Sequence, residues 1–129
     1  MSLSGQPAMK HCLVVDDSRV IRTVACRILQ DLHFETGEAE DGASALAACR
    51  SQMPELILLD VNIPNMDSIA FLKALRRERG GDRPVVVFCT TENDIACISE
   101  ALGAGANEYI MKPFDRSVIE AKLAEVGLA

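Results

Sequence analysis

The stretch Leu56-Ile57-Leu58-Leu59-Asp60, preceded by Pro54 and followed by Asn62, Pro64 and Asn65, decides the fold. Four apolar residues in a row, set between turn-forming residues, predict a short strand buried on both faces. Strands of that kind belong to parallel sheets. Asp60 closes the run. Open α/β sheets bind their ligands at the carboxyl ends of the strands, so this carboxylate is a candidate for chemistry.

Outward from this strand, the same pattern recurs. Residues 11–15, His11-Cys12-Leu13-Val14-Val15, run into Asp16-Asp17. Residues 84–89, Pro84-Val85-Val86-Val87-Phe88-Cys89, run into Thr90-Thr91. Residues 107–111 run into Lys112-Pro113. Residues 34–39 form a more polar strand candidate, expected at an edge. Helical patterns lie between the strands. Ser18 is placed to cap a helix carrying Val20, Ile21, Val24, Ala25, Ile28, Leu29 and Leu32 at spacings of three and four. Asp41-Gly42 turns into an Ala-rich helix over 43–51, which Pro54 stops. Ser68 or Asp67 caps a helix with Ile69, Phe71, Leu72 and Leu75. Its basic end, Arg76, Arg77 and Arg79, suits the helix dipole, and Gly80-Gly81 is expected to terminate it. A helix over 93–103 would set Ile95, Ile98, Ala101 and Leu102 on one side. Asp115 opens a last helix with Ile119, Leu123 and Val126. Strand and helix alternate five times with short connections. The expectation is an α/β domain over 10–129, a parallel sheet with helices on both faces. Residues 1–9 are expected to be a flexible tail or a cloning scar, with Met9 as an alternative start. The chain stops soon after the last helix, with no linker or second domain in view, though a fragment of a longer protein is the other possibility.

Composition narrows the function classes. Of 129 residues 49% are hydrophobic, which excludes disorder. The apolar runs are too short to span a membrane, and the start has no secretory pattern, so a cytoplasmic protein is expected. A formal net charge of -6 argues against direct nucleic-acid binding. The five cysteines, Cys12, Cys26, Cys49, Cys89 and Cys97, are odd in number and lack C-x-x-C spacing. They read as small buried hydrophobes of a reducing compartment. His11 and His33 fall at element edges and are expected to be structural or exposed. Neither joins a Ser or Cys in a credible triad.

Asp16, Asp17, Asp60, Thr90 and Lys112 all sit at strand ends, and a parallel sheet gathers those ends on one edge. Each alone has a bland reading: a solvated turn, a loop hydroxyl, a surface lysine. Together they form a coherent set. Three carboxylates offer hard oxygen ligands suited to Mg²⁺. A carboxylate that attacks a phosphoryl donor must meet an anion, so charge neutralisation is the main task. Lys112 supplies a point charge, Thr90 a hydrogen-bond donor, and Asp60 the nucleophile for an aspartyl phosphate.

On these residues the sequence resembles the bacterial two-component response-regulator receiver domains, and the single-domain chemotaxis-type regulators in particular. The matching pieces are Leu13-Val14-Val15-Asp16-Asp17-Ser18, Leu58-Leu59-Asp60 with Pro64-Asn65-Met66-Asp67, Thr90, and Tyr109 with Lys112-Pro113-Phe114. The resemblance implies a flavodoxin-like five-stranded sheet of order 2-1-3-4-5. It implies Asp60 as phospho-acceptor, with Mg²⁺ held by Asp17, Asp60, the backbone carbonyl of Asn62 and, mainly through water, Asp16. It implies Thr90 and Tyr109 as a switch pair, a cis bond before Pro113, and Asn62 and Glu92 as the pair that sets phosphoryl lifetime. The output face would be formed by Ala96, Ser99, Tyr109, Val118 and Lys122, expected to be exposed. The implied partners are a sensor histidine kinase and a downstream motor switch component, kinase or regulator. The protein would be a monomer or weak dimer that catalyses only its own phosphorylation and dephosphorylation. Two positions depart from the family pattern. Ser68 stands where Gly is usual; a helix cap would accommodate Ser, whereas a backbone needing positive φ would be strained. Thr91 stands where Ala is usual, which would narrow access to the phosphoryl group.

Two rival functions remain at this stage. A haloacid-dehalogenase-type phosphatase also uses a strand-end Asp, Mg²⁺, a hydroxyl and a Lys. It needs a general acid two residues after the nucleophile, where this chain has Asn62. The other is a docking receiver that no longer depends on phosphorylation.

Overall fold

The computed structural model describes residues 9–91 and 95–128. Five strands alternate with five helices in the order β1 Lys10–Val15, α1 Arg19–Asp31, β2 Phe34–Ala39, α2 Gly42–Ser51, β3 Leu56–Asp60, α3 Ser68–Arg77, β4 Val85–Thr90, α4 Ile95–Ala104, β5 Glu108–Met111 and α5 Arg116–Glu125. The strands form one sheet of order β2-β1-β3-β4-β5, and every pairing is parallel. The more polar β2 is an edge strand, as its composition predicts. The apolar β3 is central, and all five of its residues are buried.

Alternation along the strands feeds two cores. Leu13, Val15, Ile57, Leu59, Val86 and Phe88 pack on Leu46, Cys49, Phe71, Leu72, Leu75 and Ala101, from α2, α3 and α4. Cys12, Val14, Leu56, Leu58, Val87, Cys89 and Ile110 pack on Ala25, Cys26, Leu29, Ile119 and Leu123, from α1 and α5. Strands with apolar residues on both faces need helices on both faces.

Side-chain caps fix the helix starts. Ser18 accepts from the Ile21 N–H at 3.3 Å, Asp67 from Ala70 at 2.7 Å and Asp115 from Val118 at 3.1 Å. Asp41 and Ser44 form a reciprocal capping box at the start of α2. Arg76 closes the far end of α3. Its guanidinium donates to the carbonyls of Gly81, Pro84 and Gly105 and to Asn107 Oδ1, at 2.6–3.0 Å.

Several sequence expectations need correction. The helix α3 ends at Arg77 with Glu78 as its cap, before Gly80-Gly81. Those glycines shape the following turn instead: Gly80 has φ 76°, and a Cβ on Gly81 would meet the Leu75 carbonyl oxygen at 1.8 Å. Val20 is 72% exposed, and Val24 is also exposed. The buried residues of α1 are Ala25, Cys26 and Leu29. At about 100° per residue these three centre roughly half a turn away from Val20. In α4, Ile98 and Ala101 are buried, whereas Ile95 is 74% exposed and Leu102 is exposed. Ile95 and Leu102 share one line, and the docking face is rotated away from it. Residues 93 and 94, expected at the start of this helix, lie outside the described residues. Residues 1–8 of the expected tail do too.

Candidate functional site

The carboxyl ends of β1, β3, β4 and β5 meet at one edge of the sheet. Asp16 follows β1 directly, and its N–H donates to the Ala39 carbonyl at 3.1 Å, so the edge pairing with β2 continues through it. Its carboxylate accepts from the Ser18 N–H at 2.9 Å, which seats the start of α1 over the site. Arg22, one turn into α1, donates to the Asp16 carbonyl at 2.7 Å and pairs with Glu38 at 2.9 Å. Asp17 is exposed. Asp60 is the last residue of β3 and is buried.

Lys112 reaches back across the sheet edge. Its Nζ donates to Asp16 Oδ2 at 2.6 Å and to Asp60 Oδ1 at 2.7 Å. By strand alternation Asp16, Asp60 and Lys112 share the sheet face covered by α1 and α5, which is what lets one ammonium bridge two carboxylates. Burial pushes the Asp60 carboxyl up; Lys112 and the Asn62 N–H pull it down, and the charge of Asp16 pushes it up again, the outcome being upward. Burial disfavours the Lys112 charge, but the two carboxylates outweigh it, and its pKa is raised. Lys112 is therefore charged, and it neutralises one of three carboxylates.

Oxygen atoms of Asp16, Asp17 and Asp60 lie within 4.8 Å of one another. Three carboxylates against one ammonium leave two negative charges, the charge of one divalent cation. Hard oxygen donors of this kind suit Mg²⁺. Asn62 is exposed in the loop just beyond Asp60.

Thr90 ends β4 and is buried. Its carbonyl accepts from the Lys112 N–H at 2.7 Å. Phe88 is in register with Tyr109 and Thr90 with Met111, so Thr90 and Tyr109 are diagonal neighbours on one sheet face. Tyr109 is half-buried against the α2–α4 core, and Lys122 Nζ lies 6.0 Å from its ring centroid. Ala96, Ser99 and Val118 are exposed as expected, whereas Tyr109 and Lys122 are half-buried. Lys122 is drawn down by ion pairs with Glu125 at 2.6 Å and Glu108 at 3.3 Å. The Lys112–Pro113 bond is cis. Thr91 is exposed and lines a groove of about 700 Å³ with Ile21, Val24, Lys112, Pro113 and Phe114. Glu92 lies outside the described residues.

A domain whose acidic strand ends converge with a lysine has clear relatives. The family model for the response regulator receiver domain matches residues 12–124. The chain belongs to that family. It is 35% identical over 115 residues to the chemotaxis protein CheY of Pseudomonas aeruginosa, covering 88% of this chain and 93% of that protein. Other curated relatives, at 34% identity, are DNA-binding response regulators named MtrA, of whose length the chain spans about half. Among solved structures it is similar to the response regulator CheY4 of Vibrio cholerae, with a TM-score of 0.87, 33% identity and coverage of 92% of this chain and 99% of that one. It is also similar to the receiver domain of the sensor histidine kinase PA1611 from Pseudomonas aeruginosa, with a TM-score of 0.83, 27% identity and coverage of 92% and 97%. That receiver holds a magnesium ion in its active-site cleft. The sheet order and the family are those the sequence implies.

Of the two readings of Ser68, the structure bears out the helix start, with Asp67 rather than Ser68 as the cap. Among the described non-glycine residues, positive φ occurs at His33 and Asn65, so Ser68 is not strained. It occupies the first turn of α3, where its buried hydroxyl donates to backbone carbonyls. Arg22 is a residue at the site that sequence reasoning missed. Its position one turn after Ser18 gives no distinct signal, since surface helices commonly carry arginine there.

Proposed function

We propose that this receiver domain is a phosphorylation-dependent switch in which Asp60 accepts the phosphoryl group, from a sensor histidine kinase in the cell. The observation that carries the reading is the Lys112 ammonium shared between Asp16 and Asp60 beside a third carboxylate. An oxygen of Asp60 attacks phosphorus, the bond from phosphorus to the donor breaks, and the donor keeps the electron pair. Asp17 and Asp60, the Asn62 carbonyl and, through water, Asp16 would hold Mg²⁺, which neutralises the incoming phosphoryl oxygens when bound. Lys112 turns from the Asp60 carboxylate to a phosphoryl oxygen, a move its flexible stem permits. Its remaining contact to Asp16 keeps it in place. The Thr90 hydroxyl donates to a further phosphoryl oxygen.

Output follows from that last step. A displaced Thr90 side chain alters the space beside Tyr109, its diagonal neighbour on the same face. The surface of α4, β5 and α5 then changes its affinity for a downstream protein, with Ala96, Ser99 and Val118 at its exposed positions. The ligand alters the balance of two states only by binding them differently. No helix among the described residues is long and apolar enough to cross a membrane, which supports a cytoplasmic setting. Asn62 cannot act as the general acid that the phosphatase reading requires.

Acetyl phosphate with Mg²⁺ should add one phosphoryl group by intact mass, and Asp60→Asn should abolish it. An adduct that persists in Asp60→Asn would sink the assignment. Thr90→Ala should leave Asp60 modifiable while removing the amide shift changes at Tyr109 that beryllofluoride produces in the parent.

A further inference from the structure

We infer that Ser68 is a positioning residue that fixes the backbone presenting the phosphorylation site, an inference that rests on Asp60 being the acceptor. Ser68 is 3% exposed, and its hydroxyl donates to the Asp60 carbonyl at 2.6 Å and the Val61 carbonyl at 3.0 Å. These are the two peptide planes immediately after the acceptor side chain. The next carbonyl along the chain is that of Asn62.

The sheet explains why those planes need a partner. The Val61 N–H donates to the Cys89 carbonyl at 3.0 Å, so position 61 faces β4. Neighbouring positions of a strand face opposite neighbours, so the Asp60 carbonyl faces β1. Registered pairing between β1 and β3 stops at Val15 with Leu59. The Asp60 carbonyl therefore lies just past the end of the ladder. A buried carbonyl in that position needs a donor from elsewhere, and Ser68 supplies it from the first turn of α3. Its Cβ is short and its backbone is already fixed by the helix, so the hydroxyl has little freedom to leave. One proton serves two carbonyls as a three-centre bond. Asp67 caps the same helix turn through Ala70, at 2.7 Å. The base of the loop from 61 to 67 is thus held by pairing with β4 on one side and by Ser68 where the β1 ladder has ended.

The consequence is pre-organisation. A carbonyl ligand held in place loses less freedom when a cation binds, and groups that orient such ligands shift metal affinity by about tenfold or more. A glycine or alanine at 68 leaves the Asp60 and Val61 carbonyls without this donor and lets the peptide planes rotate. The two substitutions move helix stability in opposite directions, since alanine favours and glycine disfavours a helix. Both remove the same hydroxyl.

The experiment is a Mg²⁺ titration of the parent, Ser68→Ala and Ser68→Gly, read by backbone amide shifts, with unfolding midpoints measured in EDTA. The expected result is a loss of Mg²⁺ affinity of about tenfold in both variants, with metal-free shift changes at Val61 and Asn62, whichever way the midpoints move. Affinities that match the parent, or that follow the midpoints in opposite directions, would overturn the role of Ser68. Acetyl phosphate labelling of the parent is run beside it. Failure to label Asp60 in the parent overturns the acceptor assignment and the inference with it. Normal labelling with unchanged affinities overturns the inference alone.

Discussion

Replacing Lys112 by methionine should destabilise the metal-free protein and make it depend on Mg²⁺. In the parent one ammonium lies 2.6 Å from Asp16 and 2.7 Å from Asp60. Methionine keeps the stem and removes the charge, leaving two buried carboxylates facing each other. Breaking a buried ion pair from one side costs about 3–5 kcal/mol. Two effects reduce that figure. The cleft is open to water at Asp17, which screens the repulsion. Asp60, already pushed up by burial, can also take a proton once the lowering influence of Lys112 is gone. A loss of about 2–4 kcal/mol at neutral pH is the expected outcome.

The pH dependence has a definite sign. In the variant the folded-state pKa of Asp60 rises further above its unfolded value, because the lowering influence of Lys112 is lost. A group raised in this way favours folding fully below the unfolded pKa, and that contribution is lost as pH rises through the folded pKa. The deficit relative to the parent should therefore shrink as pH falls toward about 4 and grow toward neutrality. Mg²⁺ should restore much of the loss, because it returns positive charge to the cluster; a ligand at 100 times its Kd stabilises by about 2.7 kcal/mol. The chain has no Trp and one Tyr, so urea unfolding followed by far-UV circular dichroism is the suitable assay. A Lys112→Met protein as stable as the parent in EDTA at neutral pH would refute the reasoning.

Asn62→Arg should lengthen the phosphorylated lifetime, because a long cation replaces an exposed amide at the mouth of the site. Equal decay rates for the two phosphoproteins would count against it. Arg76→Ala should cost about 2–3 kcal/mol by urea unfolding, since carbonyls of Gly81, Pro84 and Gly105 lose a charged donor at once; a change below about 0.5 kcal/mol would show that water replaces it. Burial pushes the Cys49 thiol up to about 11 and the Cys89 thiol up to about 12, from 9.0. Both should resist alkylation in the native state at mild alkaline pH, with half-buried Cys97 reacting first. These raised thiols favour folding fully below about pH 9, and that contribution is lost as pH rises through 11 and 12. Rapid native-state alkylation of Cys89 would contradict the packing.

The strands were the most legible part of the sequence because they are buried on both faces. Leu56–Asp60 has no solvent side, so its apolar run needs no face assignment. Helix existence was legible for the same reason that helix rotation was not. A stripe at spacings of three and four marks a helix, but its width leaves open which edge of the stripe docks. In α1 the docking edge includes Cys26, which the apolar count omitted, and leaves Val20 and Val24 in water. In α4 it selects Ile98 and Ala101 and leaves Ile95 and Leu102 on the flank. Only the partner surface decides that angle.

The site was legible because parallel strands end together. Residues 96 apart in sequence, Asp16 and Lys112, meet at 2.6 Å because each follows an apolar run in the same sheet. The sequence did not show that Lys112 bridges two carboxylates before any phosphoryl group arrives. It also gave no sign that the ladder to β1 ends one residue short of Asp60, and so no reason to expect the Ser68 hydroxyl there. Both follow from register, which neighbouring strands set jointly. Register also sets the acidic cluster and Tyr109 on opposite faces of the sheet. Asp16, Asp60 and Lys112 lie on the α1 and α5 face, while Tyr109 packs against the α2–α4 core on the other. In the proposed switch the signal would cross the sheet where strands end and side chains from both faces reach one space. Thr90 stands at that edge. It shares a face with Tyr109, and its carbonyl is held by the Lys112 N–H at 2.7 Å. In the switch proposed above, a change at Asp60 would reach Tyr109 across a single strand pairing.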